Sequence, residues 1–293
     1  MKVVYSPRYE ISLPGHIWPT SKYRLIADHL RANPAFVFVE PEPASWDDLA
    51  LVHTPEYLHK LRDGMTMDDI ATLELPWQPE FADGFRLMAG GTIDAGRAAL
   101  ADGLAAHLGG GLHHAFANHG EGFCPVNDVA IAIRVLQREA RSSRIAIVDL
   151  DVHHGNGTAM IFGRDEAVFT FSMHQQLNYP FYKPPGDLDI GMEDGTRDMR
   201  YLELLSDALP RVLDHRPDII FYLAGADPYE GDRLGGLRLT KAGLAQRDRL
   251  VVAAARVAGV PLVTVLAGGY ASNVNDTVDI HVATIEAMVT APG

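Results

Sequence analysis

The run Asp149-Leu150-Asp151-Val152-His153-His154-Gly155-Asn156-Gly157 sets two carboxylates and an imidazole at alternate positions. In an extended segment alternate side chains leave on the same side, so Asp149, Asp151 and His153 project together while Leu150 and Val152 pack behind them. An Asp and a His two apart can share one metal ion. A catalytic divalent cation is held poorly by two protein ligands, so a third is expected, with a further position open for water. Asp227, in Gly225-Ala226-Asp227, is the best candidate. Such groups aimed one way into a half-buried edge would be costly without a cation. Asp149 need not ligate that metal: it can orient a histidine, and its backbone, those of its neighbours and the Ser172 hydroxyl could hold a monovalent ion.

Two further clusters carry chemistry. Gly109-Gly110-Gly111-Leu112-His113-His114 precedes Gly120-Glu121-Gly122-Phe123-Cys124-Pro125. A glycine run lets backbone approach a buried site, and adjacent histidines give two imidazoles with different neighbours. One can act as a base and the other as its electrostatic partner. Gly268-Gly269-Tyr270 places a phenol after two glycines, and a neutral phenol suits stabilisation of an oxyanion.

These groups must be positioned by strands. Short apolar runs at 2–5, 36–39, 104–108, 144–150, 167–172, 218–224 and 261–267 show little polar alternation, as strands covered on both faces do. Helix-length segments lie between them. Asn127 reads as the N-cap of a helix to about Ala140, and Thr240 opens another that stops near Gly259. The rhythm predicts an α/β fold with a mainly parallel sheet and helices on both faces. Gly and Pro clusters at 76–91 and 180–195 read as surface loops or loop-to-helix joints, the second a candidate substrate rim. In such sheets ligands bind beyond the carboxyl ends of the strands. Four of the strands end there in polar groups: Asp149 with Asp151 and His153, Ser172, Asp227, and Gly268 to Tyr270.

The 293 residues, 47% hydrophobic and with no repeat or dividing linker, predict one catalytic domain over 1–293. Lys plus Arg number 25 against 38 Asp plus Glu, a balance of −13 that disfavours nucleic acid and suits a cationic substrate. One cysteine, no secretory leader and no apolar stretch of about 18 residues predict a cytoplasmic protein away from the membrane.

Taken together, His113-His114, Gly122-Phe123-Cys124, Asp149 to Gly157, Gly225-Ala226-Asp227 and Gly268-Gly269-Tyr270 closely resemble the zinc-dependent histone deacetylase family, in order and over nearly the whole chain. Tyr5-Ser6-Pro7-Arg8-Tyr9 and Glu230 to Leu237 are most similar to its class IV. The resemblance implies the arginase/deacetylase-like fold, with Asp151, His153 and Asp227 as zinc ligands and His114 as general base. It implies that His113 is the paired imidazole held by Asp149, and that Tyr270 polarises the scissile carbonyl. Phe123 and Tyr179 would wall a tunnel for an acylated lysine stem, with the Gly122 carbonyl near the substrate amide. A structural potassium ion near Asp149, Asp151, His153 and Ser172 is also implied. Asn156 departs from the pattern, standing where some members carry an Asp beside the basic histidine. A neutral amide raises the His114 pKa less, so the base should stay neutral to lower pH.

The reaction expected is hydrolysis of N-ε-acyl-lysine in proteins or peptides, with acetyl, lactyl or long-chain groups all open. The hard Asp-Asp-His donors would also accept Fe²⁺. An amidohydrolase of acetylpolyamines or other acylated small amines is the alternative, and a silent, metal-stabilised binding protein a further one. A binuclear manganese ureohydrolase fits less well, because Gly155 stands where a bridging carboxylate would be wanted.

Overall fold

The computed structural model describes residues 1–291. Its frame is an eight-stranded sheet: β1 (Lys2–Val4), β2 (Val37–Val39), β3 (Leu104–His107), β4 (Ile145–Asp149), β5 (Val168–Gln175), β6 (Leu188–Met192), β7 (Ile219–Leu223) and β8 (Leu262–Val265). The spatial order is β2-β1-β3-β8-β7-β4-β5-β6, and every pairing is parallel. The central β4 and β7 are buried along their whole length, as the unbroken Ile, Val, Phe and Leu runs require when helices cover both faces. The α/β architecture with a parallel sheet is therefore the one expected. No helix of the described residues is long and apolar enough to cross a membrane.

Local signals set the helix ends. The Asn127 side chain accepts from Ala130 N at 2.9 Å and opens the helix Asp128–Arg138. Thr240 caps Lys241–Ala258 in the same way, and Gly259 closes that helix in the left-handed conformation at φ 66°.

The first Gly/Pro cluster is a loop-to-helix joint, with 76–80 leading into a helix at Phe81 that takes up the rest of it, and the second holds a strand that the loop reading did not give it. Residues 81–91 begin the longest helix, Phe81–Asp102, with Gly84, Gly90 and Gly91 inside it. Helix propensity yields to packing here: a Cβ on Gly90 would stand 1.9 Å from the Glu42 carbonyl oxygen, and one on Gly91 2.4 Å from both His107 Nε2 and the Tyr9 hydroxyl. Within 180–195 lies β6, which pairs with an extension of β5 past Ser172 to Gln175. As an edge strand, β6 is buried at its two ends and exposed between, and its Leu-Asp-Ile-Gly-Met sequence lacks the apolar run that marks the inner strands.

The sheet order sets β3, β8, β7, β4 and β5 side by side. Register then aligns their carboxyl ends: Asp149 stands opposite Ser172 and Leu223, and Leu223 opposite Val265. All the segments singled out above therefore emerge on one rim.

Candidate active site

Asp151, His153 and Asp227 are brought together and buried, with one donor atom from each within 4.8 Å of the others. His153 Nδ1 is 3.0 Å from Asp151 Oδ1 and 3.4 Å from Asp227 Oδ2. The outer carboxylate oxygens are used structurally. Asp227 Oδ1 accepts from Val152 N at 2.9 Å, and Asp151 Oδ2 from Gly268 N at 2.7 Å. Asp227 Oδ2 is buried without a hydrogen-bond partner. Burial, then the Asp151 charge, push the Asp227 carboxyl up. An orphaned, fully buried carboxylate oxygen beside a second carboxylate and an imidazole is a donor set that fits a divalent cation. Glycine makes the approach possible, since a Cβ on Gly268 would lie 2.0 Å from Asp227 Oδ2.

The histidine pair lies against this group. His113 Nδ1 donates to Asp149 Oδ2 at 2.7 Å, and its Nε2 is 3.1 Å from His114 Nε2. Burial works against a charge on His113, but the Asp149 and Asp151 carboxylates outweigh it and hold the imidazole up to about 9. His114 goes the other way. Burial, then the charges of His113 and His153, press it well below the usual histidine range. Asn156 Nδ2 donates to Glu121 Oε1 at 2.7 Å, so its carbonyl oxygen faces His114 Nδ1, also at 2.7 Å. That fixes the tautomer: Nδ1 carries hydrogen, and Nε2 keeps its lone pair.

His113, His114, Asp151 and His153 line a cavity of about 340 Å³ together with Phe123, Tyr179 and Tyr270. The Tyr179 ring stands edge-on to His114 and His153 at 5.0 and 6.2 Å, and its hydroxyl donates to Glu121 Oε1 at 2.9 Å. Phe123 faces Tyr270 at 6.0 Å. Gly122 lines the cavity too, with its carbonyl accepting the Cys124 thiol at 3.3 Å. Burial, then the charges of Asp151 and Asp227, raise the Tyr270 phenol well above its ordinary value, so it stays a neutral donor. Ser172 sits in register with Asp149, its hydroxyl 3.0 Å from His174 Nδ1.

Four buried or half-buried side chains escaped the sequence reading. Asp232 accepts from Leu234 N and Gly235 N at 2.8 and 3.0 Å and from Tyr270 N at 2.6 Å, pinning the turn that presents the phenol. Glu121 braces both Asn156 and Tyr179. Both stand in segments singled out for their neighbours, so a signal existed. Lys22 donates to the Ala267 carbonyl at 3.0 Å with its ammonium 5.7 Å from the Tyr270 ring, and burial lowers it to about 8. Arg247 donates to the Gly225 carbonyl at 2.6 Å from inside the core. These two lie on helices outside the motif segments and carried no local signal.

Comparison with known proteins agrees with the geometry. Residues 16–285 match the histone deacetylase domain. The chain is 42% identical over 287 residues to an uncharacterized protein of Picosynechococcus sp., covering 95% of each. It is 34% identical to histone deacetylase 2 of Arabidopsis thaliana, over 92% of this chain and 74% of that one. It is 30% identical to the acetoin utilization protein AcuC of Bacillus subtilis, over 81% and 68%. The crystal structure of the HDA15 HD domain superposes with a TM-score of 0.81 at 23% identity, covering 99% of this chain and 91% of that one, and so shares its fold. With the motif segments gathered at one buried rim and the domain matched from residue 16 to residue 285, this chain belongs to the histone deacetylase family.

Proposed function

We propose that the chain, acting as one catalytic domain, is a zinc-dependent lysine deacylase that hydrolyses the amide of N-ε-acyl-lysine. The observation that carries this reading is the orphaned Asp227 Oδ2 in the Asp151–His153–Asp227 group, whose Asp151 and His153 line a cavity together with His114, Tyr270 and two aromatic walls. Asp151, His153 and Asp227 would hold the metal. Zinc, or Fe²⁺ given the two hard carboxylates, supplies Lewis acidity at the scissile carbonyl and acidifies water.

The chain's own groups do the rest. His114 Nε2 takes the proton of the attacking water, and the Nδ1 hydrogen bond to Asn156 keeps it in the accepting tautomer. His113, held by Asp149, lies 3.1 Å away and can return a proton to the departing lysine amine as the C–N bond breaks. The Tyr270 hydroxyl donates to the developing oxyanion. Phe123 and Tyr179 flank the apolar lysine stem and exclude water. A structural potassium ion beside Asp149 and Ser172 would stiffen the strand ends that carry these groups. The single, buried cysteine suits a cytoplasmic setting.

Tyr270→Phe is expected to lower kcat about 10²- to 10³-fold, the usual cost of one oxyanion donor. KM and bound metal, measured alongside, should hardly change. Equal activity in the variant would remove Tyr270 from the chemistry. A panel of acetyl-, lactyl- and long-chain-acyl-lysine peptides run beside acetylpolyamines tests the substrate class, and turnover of the polyamines alone would overturn the lysine reading.

The pH profile tests the base. His114 must be neutral to accept a proton, and a pKa held below its ordinary value puts the acid limb of kcat/KM at low pH. Asn156→Asp combined with Glu121→Gln sets a carboxylate against Nδ1 without opposing it to Glu121. That favours the imidazolium, so the acid limb should move up by about one pH unit or more. An unmoved limb would count against His114 as the base.

A further inference from the structure

A second constellation lies across the chain from the first. His153 faces Asp151 and Asp227, whereas the next residue, His154, meets His174 on β5 and Asp189 on β6. The His154 and His174 rings stand edge to face with centroids 4.6 Å apart, and His154 Nε2 is 3.4 Å from Asp189 Oδ1. One donor atom from each of the three residues falls within 4.8 Å of the other two, the same closeness that the Asp151 group shows. Both imidazoles are buried, at 1% and 2% exposure.

The surrounding hydrogen bonds leave this group as a set of donors for a cation. His174 Nδ1 is engaged by the Ser172 hydroxyl at 3.0 Å, which orients the ring and leaves Nε2 toward other partners, the arrangement that usually backs a metal-bound histidine. Asp189 Oδ2 accepts from Gly186 N at 2.7 Å, and Oδ1 is left for His154. At 3.4 Å that contact is longer than a good hydrogen bond, so a simple His–Asp pair accounts for it poorly. His154 Nδ1 is buried with no partner at all. Lys183, whose charge reaches His174, spends its ammonium on the Asn178 and Pro180 carbonyls at 2.7 and 2.5 Å. A cavity of about 10 Å³ adjoins His154 and Asp189 and reaches Ser172 and Asp149, while His174 lies outside its lining.

We propose that His154, His174 and Asp189 form a second divalent-metal site, of zinc type, which clasps the edge strand β6 to β5. Two imidazoles and one carboxylate are borderline donors that suit Zn²⁺, with water completing a tetrahedron. The Asp189 side chain, 28% exposed, gives the ion a way in. Such a clasp would fasten both ends of the 176–187 segment, which carries Tyr179 to the cavity wall. This inference does not depend on the reaction proposed above.

The test is zinc stoichiometry on the full chain. Metal-free protein is equilibrated with micromolar Zn²⁺ at fixed potassium concentration, and bound zinc per chain is measured. Two ions are expected for the wild type, one for His174→Ala and for Asp189→Asn, and one for Asp151→Ala. The gentler Asp189→Asn keeps the inference testable if His174→Ala fails to fold. A single ion in the wild type that survives in both His174→Ala and Asp189→Asn would overturn the second site, as would two ions unaffected by either change. A single ion lost in those variants but kept in Asp151→Ala would uphold the clasp and overturn the catalytic metal.

Discussion

Asp151→Ala should abolish hydrolysis, with kcat/KM falling at least about 10³-fold, because a catalytic metal supplies several kcal/mol of transition-state stabilisation and each 1.36 kcal/mol is tenfold. The loss has three parts. One of the three proposed ligands disappears, and with it the acceptor of the Gly268 amide at 2.7 Å, two residues before Tyr270. His153 also loses its partner at 3.0 Å. Zinc content and turnover, measured on the same preparation, should fall together, with the far-ultraviolet dichroism of the fold retained. Activity that persisted after the site had lost its metal would sink the metal-dependent reading entirely.

Arg247→Met should destabilise the folded chain by about 3–5 kcal/mol, the range found when one partner of a buried ion pair is removed. Arg247 and Asp248 are buried, with Arg247 Nε donating to Asp248 Oδ1 at 2.8 Å. Asp248 also accepts from the Tyr222 hydroxyl at 2.5 Å and from Thr284 Oγ1 at 2.6 Å, so these two bonds hold the carboxyl group in its buried place when the guanidinium goes. The Gly225 carbonyl loses its donor as well. Because Gly225 lies two residues before Asp227, zinc affinity should weaken too. Denaturant titration reads the first effect and zinc competition the second. Arg247→Met with Asp248→Asn should recover part of the stability, since no uncompensated charge then remains. A loss under about 1 kcal/mol in the single variant would mean that the pair is not the brace it looks to be.

Both predictions depend on how the chain orders polar groups that its sequence merely supplies. Asp149, Asp151 and His153 were legible from their types and their place at a strand end, although the strand stops at Asp149 and 151–153 bend instead of continuing the expected extended run; Asp227 and Tyr270 were legible because each follows a buried apolar strand at the sheet's carboxyl edge. Asn127 and Thr240 were legible as caps for a similar reason: an N-cap acts within three residues of itself. The helix over Phe81–Asp102 was not, because what rescues Gly90 and Gly91 is the close approach of Glu42, His107 and Tyr9. Nor was β6, whose one-sided burial exists only once β5 lies beside it.

The sequence by itself determined the family's motifs, the alternation of strand and helix, and the types of donor available at the strand ends, all of them set by residues near one another in the chain. Tertiary structure alone decided how those donors are partnered. It put Asp232 under the Tyr270 amide, the Glu121 carboxylate behind Asn156 and the Arg247 guanidinium beneath the Gly225 carbonyl. It also sent His154 away from its neighbour toward β5 and β6. The physical reason is that a hydrogen bond or a shared ion needs its partners within about 3 Å of one another, and residues tens of positions apart reach that distance only after the sheet has set its order.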